Sequence, residues 1–191
     1  GMARRELAPD GQRPRLAYVV LAELAESTDP ALARELLGFP RFNLVARTRD
    51  NPNFDVRLTL RQPRNPLWSH PFLEPHLDAW RPPDWFHQFR YILSLAGYDM
   101  ASNILMSANS RSVVLLEEYD WEIYYSPLFQ PWEHYIPLAP GAVDAEEKLD
   151  WARANPEACL EISANARAAC ARLANSATRE AMLDGIVAAL G

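Results

Sequence analysis

Cysteine is scarce: Cys159 and Cys170 are the only two in 191 residues, and neither stands in a CxxC spacing. Neither a zinc cage nor a disulfide framework is therefore suggested, and reduced thiols buried in an alanine-rich helical stretch suit a cytoplasmic protein. Positive charge is also short, with 19 Lys and Arg against 25 Asp and Glu and a net charge of −6. A nucleic-acid partner is therefore not expected, because phosphate-backbone binders concentrate cations to displace counterions. No apolar run is long enough for a membrane-spanning helix. The start, where Gly1 ahead of Met2 reads as the remnant of a removed tag, lacks a secretory hydrophobic core. His70, His76 and His87 are scattered without ligand spacing, so no metal is expected. Ser102 has neither a neighbouring His-Asp pair nor nucleophile-elbow glycines, which argues against a hydrolase triad.

What is present suits one buried core, since 49% of the residues are hydrophobic over a single-domain length. Residues 15–22 (RLAYVVLA) are apolar and β-branched enough to predict a buried strand, followed by a helix over 30–37 opened by the Ser27-Thr28-Asp29-Pro30 cluster. A short helical segment is expected over Phe42–Arg47, and Phe54–Leu60 alternates like a strand. Residues 63–83 carry Pro63, Pro66, Pro71, Pro75, Pro82 and Pro83, which read as a long surface loop. Its Trp68, Phe72 and Trp80 either pack it down or cover a ligand. From Arg90 the predicted order is strand 90–95, helix 99–109, strand 112–117, a short helix near 120–126 and a strand at 134–138. Such alternation implies an α/β fold with a parallel sheet. Residues 144–191 read as C-terminal helices, broken near Asn155-Pro156 and Asn175-Ser176.

The strand ending at Leu95 turns through Gly97 and Asp99 toward a helix near Ala101-Ser102-Asn103. At the carboxyl edge of a parallel sheet such a turn offers backbone N–H groups to a diphosphate. Gly97 permits close approach of the backbone, and Ser102 or Asn103 can add a hydrogen bond. Taken alone, a glycine and a capping Asp in a strand-helix turn are also ordinary turn chemistry. Glu117, Glu118, Asp120 and Glu122 form an acidic turn whose carboxylates can accept from a ribose or sugar hydroxyl, or simply be solvated. Trp121, Tyr124, Tyr125 and Trp132 read as packing first, with stacking on a base or sugar as the alternative.

The stretch GYDMASN (Gly97–Asn103) resembles a motif of the CAP10-like glycosyltransferases, glycosyltransferase family 90, in its bacterial lipopolysaccharide-type form. Ser112-Val113-Val114 then matches the strand that follows, and Tyr124-Tyr125-Ser126-Pro127 with Gln130 through Pro137 (QPWEHYIP) resembles the family's aromatic, Pro-Trp and His-Tyr-x-Pro signature. The resemblance covers about residues 89–175, with a less specific similarity over Pro40–Thr59. It implies a Rossmann-like parallel sheet with flanking helices, one half of a GT-B glycosyltransferase, in a single nucleotide-sugar-binding domain over residues 1–191 with a helical C-terminal tail. The donor-binding residues it implies, together with the reading above, are Gly97, Asp99, Ala101, Ser102, Asn103, Ser112, Glu118, Glu122, His134 and Tyr135. His134 could bond a ligand or satisfy buried backbone groups.

The resemblance further implies an inverting transfer from a UDP- or GDP-linked sugar, without a metal, to a glycan such as lipopolysaccharide. That places the protein in the cytoplasm, with the periphery of the inner membrane as the alternative. The family's acidic base lies in a half that precedes the donor domain, so no catalytic residue is assigned here. The segment YVVLAELAEST (Tyr18–Thr28) lacks the family's Arg-Gly pair, and Arg111 stands where relatives prefer a small residue. Two readings remain open: the donor half of a longer enzyme, or a non-catalytic, degenerate nucleotide-binding or protein-interaction domain of the same fold. An apolar face left uncovered by a missing half would favour a homo-oligomer.

Overall fold

The computed structural model describes residues 16–60, 62, 64–96, 103–118 and 122–190. The chain divides into two compact units, Gly1–Trp80 and Arg81–Gly191.

Unit 1 is helical where a strand was expected: α1 runs from Ala17 to Leu24. The β-branched pair Val19-Val20 favours a strand, but no neighbouring strand exists among the described residues to pair with it. Val20 and Leu24, four apart and both fully buried, form one helical face that packs with Leu36, Leu67 and Leu73. Helix α2 (Pro30–Leu36) begins as expected, with Pro30 in the first turn and the Asp29 carboxylate accepting from the Ala31 N–H at 2.8 Å. Helix α3 (Pro40–Thr48) covers the expected Phe42–Arg47 segment. The strand expected over Phe54–Leu60 is not formed; only a single parallel bridge joins Leu58 to Leu77. The proline-rich stretch is tied down by short turns at Pro66–Ser69 and Glu74–His76, by buried Leu67 and Leu73, and by Trp68 Nε1 donating to the Gln62 carbonyl. The His70 ring joins two segments, accepting from the Phe72 N–H through Nδ1 and donating through Nε2 to the Ser27 carbonyl.

His76 is placed differently. Its Nδ1 is buried and finds no hydrogen-bond partner among the described residues. Burial, then the Arg49 and Arg57 charges, push its pKa below the ordinary 6.5, with Asp50 acting in the opposite sense. The unfolded chain therefore binds this proton first, so stability is undiminished above the unfolded pKa and falls as pH drops through it. The urea midpoint of the protein should fall between about pH 7.5 and about pH 5.5, and fall less in His76→Gln. An equal fall in both proteins would remove His76 as the cause.

Unit 2 carries the sheet. Strands β1 (Tyr91–Ser94), β2 (Val113–Glu117) and β3 (Ile136–Leu138) are parallel in the order β1-β2-β3, with Leu93 beside Leu115 and Leu115 beside Ile136. All five residues of β2 are buried, as befits a central parallel strand covered on both faces. Helix α4 (Ile104–Ala108) and helix α6 (Pro156–Ala174) pack on one face, where Ile104, Ala108, Val114, Leu116, Ala166 and Ala169 share a core. Helix α5 (Ala145–Ala154) lies against β3, and α7 (Ser176–Leu190) follows α6 with Leu183, Ile186 and Val187 exposed. The breaks fall where the sequence places them, at Asn155-Pro156 and at Asn175, whose side chain accepts from the Ala177 N–H. Both cysteines are free thiols on α6, donating to the Ala152 and Leu105 carbonyls. Burial pushes both thiols above their usual pKa, which disfavours the thiolate form.

The described part of the helix expected over 99–109 is confined to 104–108. The short helix expected near 120–126 is, from residue 122 onward, a turn leading to a single 3₁₀ turn at Ser126–Leu128. The strand expected at 134–138 starts at Ile136, because His134 and Tyr135 belong to the preceding turn.

Candidate functional site

The carboxyl ends of the three strands define the edge where ligands bind in open parallel sheets. On this edge Ser94, the last residue of β1 and fully buried, donates its hydroxyl to Asn103 Oδ1 at 2.8 Å, tying the strand to the entry of α4. At the end of β2, Glu117 is buried and both carboxylate oxygens accept backbone N–H groups, from Ala96 at 2.9 Å and from Gly141 at 2.6 Å. Beyond it the Glu118 N–H donates to the Leu138 carbonyl at 3.0 Å, which extends the β2–β3 ladder by one step.

A pocket of about 190 Å³ opens at this edge. Ile104, Leu116 and Ile123 are apolar in its wall, Tyr125, Phe129 and Tyr135 supply rings, and Glu117, Glu118 and Glu122 supply carboxylates. Ser126 completes it, its hydroxyl accepting from the Ile123 N–H at 3.0 Å. The volume lies below the roughly 300–1,000 Å³ of sites that enclose a whole small ligand, so this space fits one ring of a larger molecule. Glu118 and Glu122 are exposed and offer acceptor oxygens, which suits hydroxyl groups. Among the described residues no Arg, Lys or His lines the pocket, and no group of three metal-ligating side chains occurs.

Of the ten residues read from the sequence, Gly97, Asp99, Ala101 and Ser102 lie outside the described residues. Asn103 stands at the edge, and Glu118, Glu122 and Tyr135 share the pocket. Ser112 does not join them. It precedes β2 at the amino edge of the sheet, roughly 13 Å from Leu116 at about 3.3 Å per strand residue. Its hydroxyl donates to the Phe89 carbonyl at 2.6 Å. His134 is adjacent to Tyr135 but serves the turn: its Nδ1 accepts from the Gln130 N–H at 3.0 Å, so the neutral ring carries its hydrogen on Nε2, and the ring meets Phe129 edge-on. Trp132, in the same turn, has φ 64 and remains 44% exposed, its ring edge-to-face with Trp151 at 4.7 Å. A bulky residue in the left-handed region is strained, and the Trp151 contact offsets that strain. Sequence reading did not single out Ser94 or the bridging role of Glu117. The available signal was a carboxylate closing an otherwise apolar strand, VVLLE.

With the edge and its pocket in place, the comparison with known families becomes specific. Residues 81–173 match the family model of Glycosyl transferase family 90. The match takes in just under half of the chain, and every residue that lines the pocket falls within it. Among curated proteins, O-glucosyltransferase LpsA of Dichelobacter nodosus is 35% identical over 82 residues, 42% of this chain and 26% of LpsA. Protein O-glucosyltransferase 3 of Mus musculus is 27% identical over 78 residues, 41% of this chain and 16% of the mouse protein. Uncharacterized protein 035R of Invertebrate iridescent virus 3 is 27% identical over 149 residues, 74% of this chain and 13% of the viral protein. The chain thus spans about a quarter or less of the length of these relatives, which come from a bacterium, an animal and a virus.

Proposed function

We propose that this chain is the donor-binding part of a glycosyltransferase that moves a sugar, glucose on the relatives' names, from a nucleotide-sugar to a hydroxyl acceptor. The observation that carries this reading is the coincidence of the family match with a carboxylate- and aromatic-lined pocket at the carboxyl edge of a parallel sheet. In this reading Glu118 and Glu122 accept from ribose or sugar hydroxyls, and the rings of Tyr125, Phe129 and Tyr135 border the bound ring. The diphosphate is assigned to the stretch Gly97–Asn103, on the motif resemblance. The fold is then the donor half of a GT-B enzyme, the transfer inverts the anomeric carbon, and a glycan, lipopolysaccharide in the bacterial-type form, accepts the sugar.

Calorimetric titration with UDP, GDP and their glucose conjugates tests this. Saturable binding is expected for one nucleotide series, weakened about tenfold in Glu122→Gln by loss of a charged acceptor. A folded sample that binds none of the four ligands would sink the reading. The absence of cations from the described pocket lining favours a second reading, a donor fold that binds without turnover. Binding with no sugar release or transfer, in the full-length protein, would select it.

A further inference from the structure

We propose that Glu117 is a positioning residue for the ligand edge: one buried carboxylate, without bonding the ligand, holds in register the chain segments that follow both neighbouring strands. The inference rests on the donor-binding reading for its consequence, but its geometry stands independently. The β1–β2 ladder ends at Ser94 beside Leu116, and the β2–β3 ladder ends at Glu117 beside Leu138. Past Ser94 on one side, and past the Glu118 N–H bond to the Leu138 carbonyl on the other, no further strand pairing follows among the described residues. The Glu117 side chain, rooted on the central strand, spans the gap on both sides, to Ala96 after β1 and to Gly141 after β3. Burying a carboxylate is unfavourable unless its oxygens are bonded, and here each oxygen takes one N–H.

The far contact holds an unusual stretch of backbone. Gly141 has φ 72 and Ala142 has φ 50, two consecutive left-handed residues, and Ala142 is fully buried. The turn is closed further by the Ala142 N–H to the Ala139 carbonyl and by the Ala139 N–H to the Asp144 carboxylate. Consecutive left-handed residues persist only where the surroundings fix them. The near contact fixes Ala96, the residue directly before Gly97 of the motif. Glu117 also lines the pocket. A single group therefore links the pocket wall to the backbone at Ala96 and at Gly141, and the position of its two oxygens sets where those two points of the edge lie.

Glutamine at this position keeps one acceptor and turns an NH2 donor toward the other N–H. Aspartate keeps the charge but is one methylene too short to reach both. In Glu117→Gln the amide of Ala96 or Gly141 should exchange with deuterium about tenfold faster or more, the order expected for one lost charge-assisted hydrogen bond. Amides of Val114 and Leu115 should stay as protected as in the wild type. Affinity for UDP-glucose or GDP-glucose, whichever the wild type binds, should fall about tenfold alongside. Glu118→Gln should leave both amides unchanged. If Glu117→Gln loses protection at Val114 as well and is globally unstable, Glu117→Asp serves, with one of the two amides deprotected and the core intact. Wild-type protection at Ala96 and Gly141 in the substituted proteins, or deprotection with unchanged affinity, overturns the inference. Failure of the wild type itself to bind any nucleotide-sugar defeats the donor-binding reading instead, while the exchange pattern still decides whether Glu117 clamps the edge.

Discussion

Leu115→Ala is expected to lower the unfolding free energy by about 3 kcal/mol, within the range for leucine truncation in a packed core. Leu115 is 1% exposed at the centre of the central strand and is flanked on both sides by strand neighbours, Leu93 and Ile136. Partners fixed by ladders on both sides cannot collapse into the space left by the lost methyl groups, so a cavity remains and adds to the transfer term. Leu160, also in unit 2 but 67% exposed, is the matched control; its truncation should shift stability by no more than about 0.5 kcal/mol. Urea unfolding of both variants checks the pair. A loss below about 1 kcal/mol for Leu115→Ala would mean that β2 is not the centre of a tightly packed sheet.

Gly141→Val should destabilise the protein by about 2 kcal/mol and weaken ligand binding with it. At φ 72 a β-branched side chain meets its own backbone, and the turn must either hold that strain or rotate away. Rotation would take the Gly141 N–H off the Glu117 carboxylate and reshape the pocket edge. Gly185 makes the contrast, since it sits inside α7 and a Cβ there would meet nothing within 4 Å. Gly185→Ala is expected to stabilise by about 0.5–1 kcal/mol. Should Gly141→Val melt like the wild type, the left-handed turn after β3 would not be a fixed feature of the fold.

Sequence reading located most of unit 2 and less of unit 1, for a physical reason visible in particular residues. The parallel strands announce themselves as short apolar runs between turn signals, and VVLL in β2 is continuous because both faces are covered. Pro156 and Asn175 stop and restart helices through local chemistry, which needs no tertiary context. RLAYVVLA, by contrast, is short enough to satisfy both periodicities; what decides is whether Val20 and Leu24 find an apolar surface four residues apart or a strand to pair with. Phe54–Leu60 alternates, but apart from the single step at Leu58 no partner strand lies beside it among the described residues, and alternation alone does not hold a strand. At the site, the residues that reached one pocket, Glu118, Glu122 and Tyr135, come from the connection between two strands. Ser112 was placed by motif order, which does not distinguish the two ends of a strand. The Glu117 bridge was illegible because it depends on where three separate chain segments end in space.

The division between the units carries a consequence of another kind. The structural boundary after Trp80 coincides with residue 81, where the family match begins. A segment that is compact by itself and matched from its first residue by one family model has the properties of a domain. The alignment with the viral protein, 149 residues, is longer than unit 2 and therefore continues into unit 1.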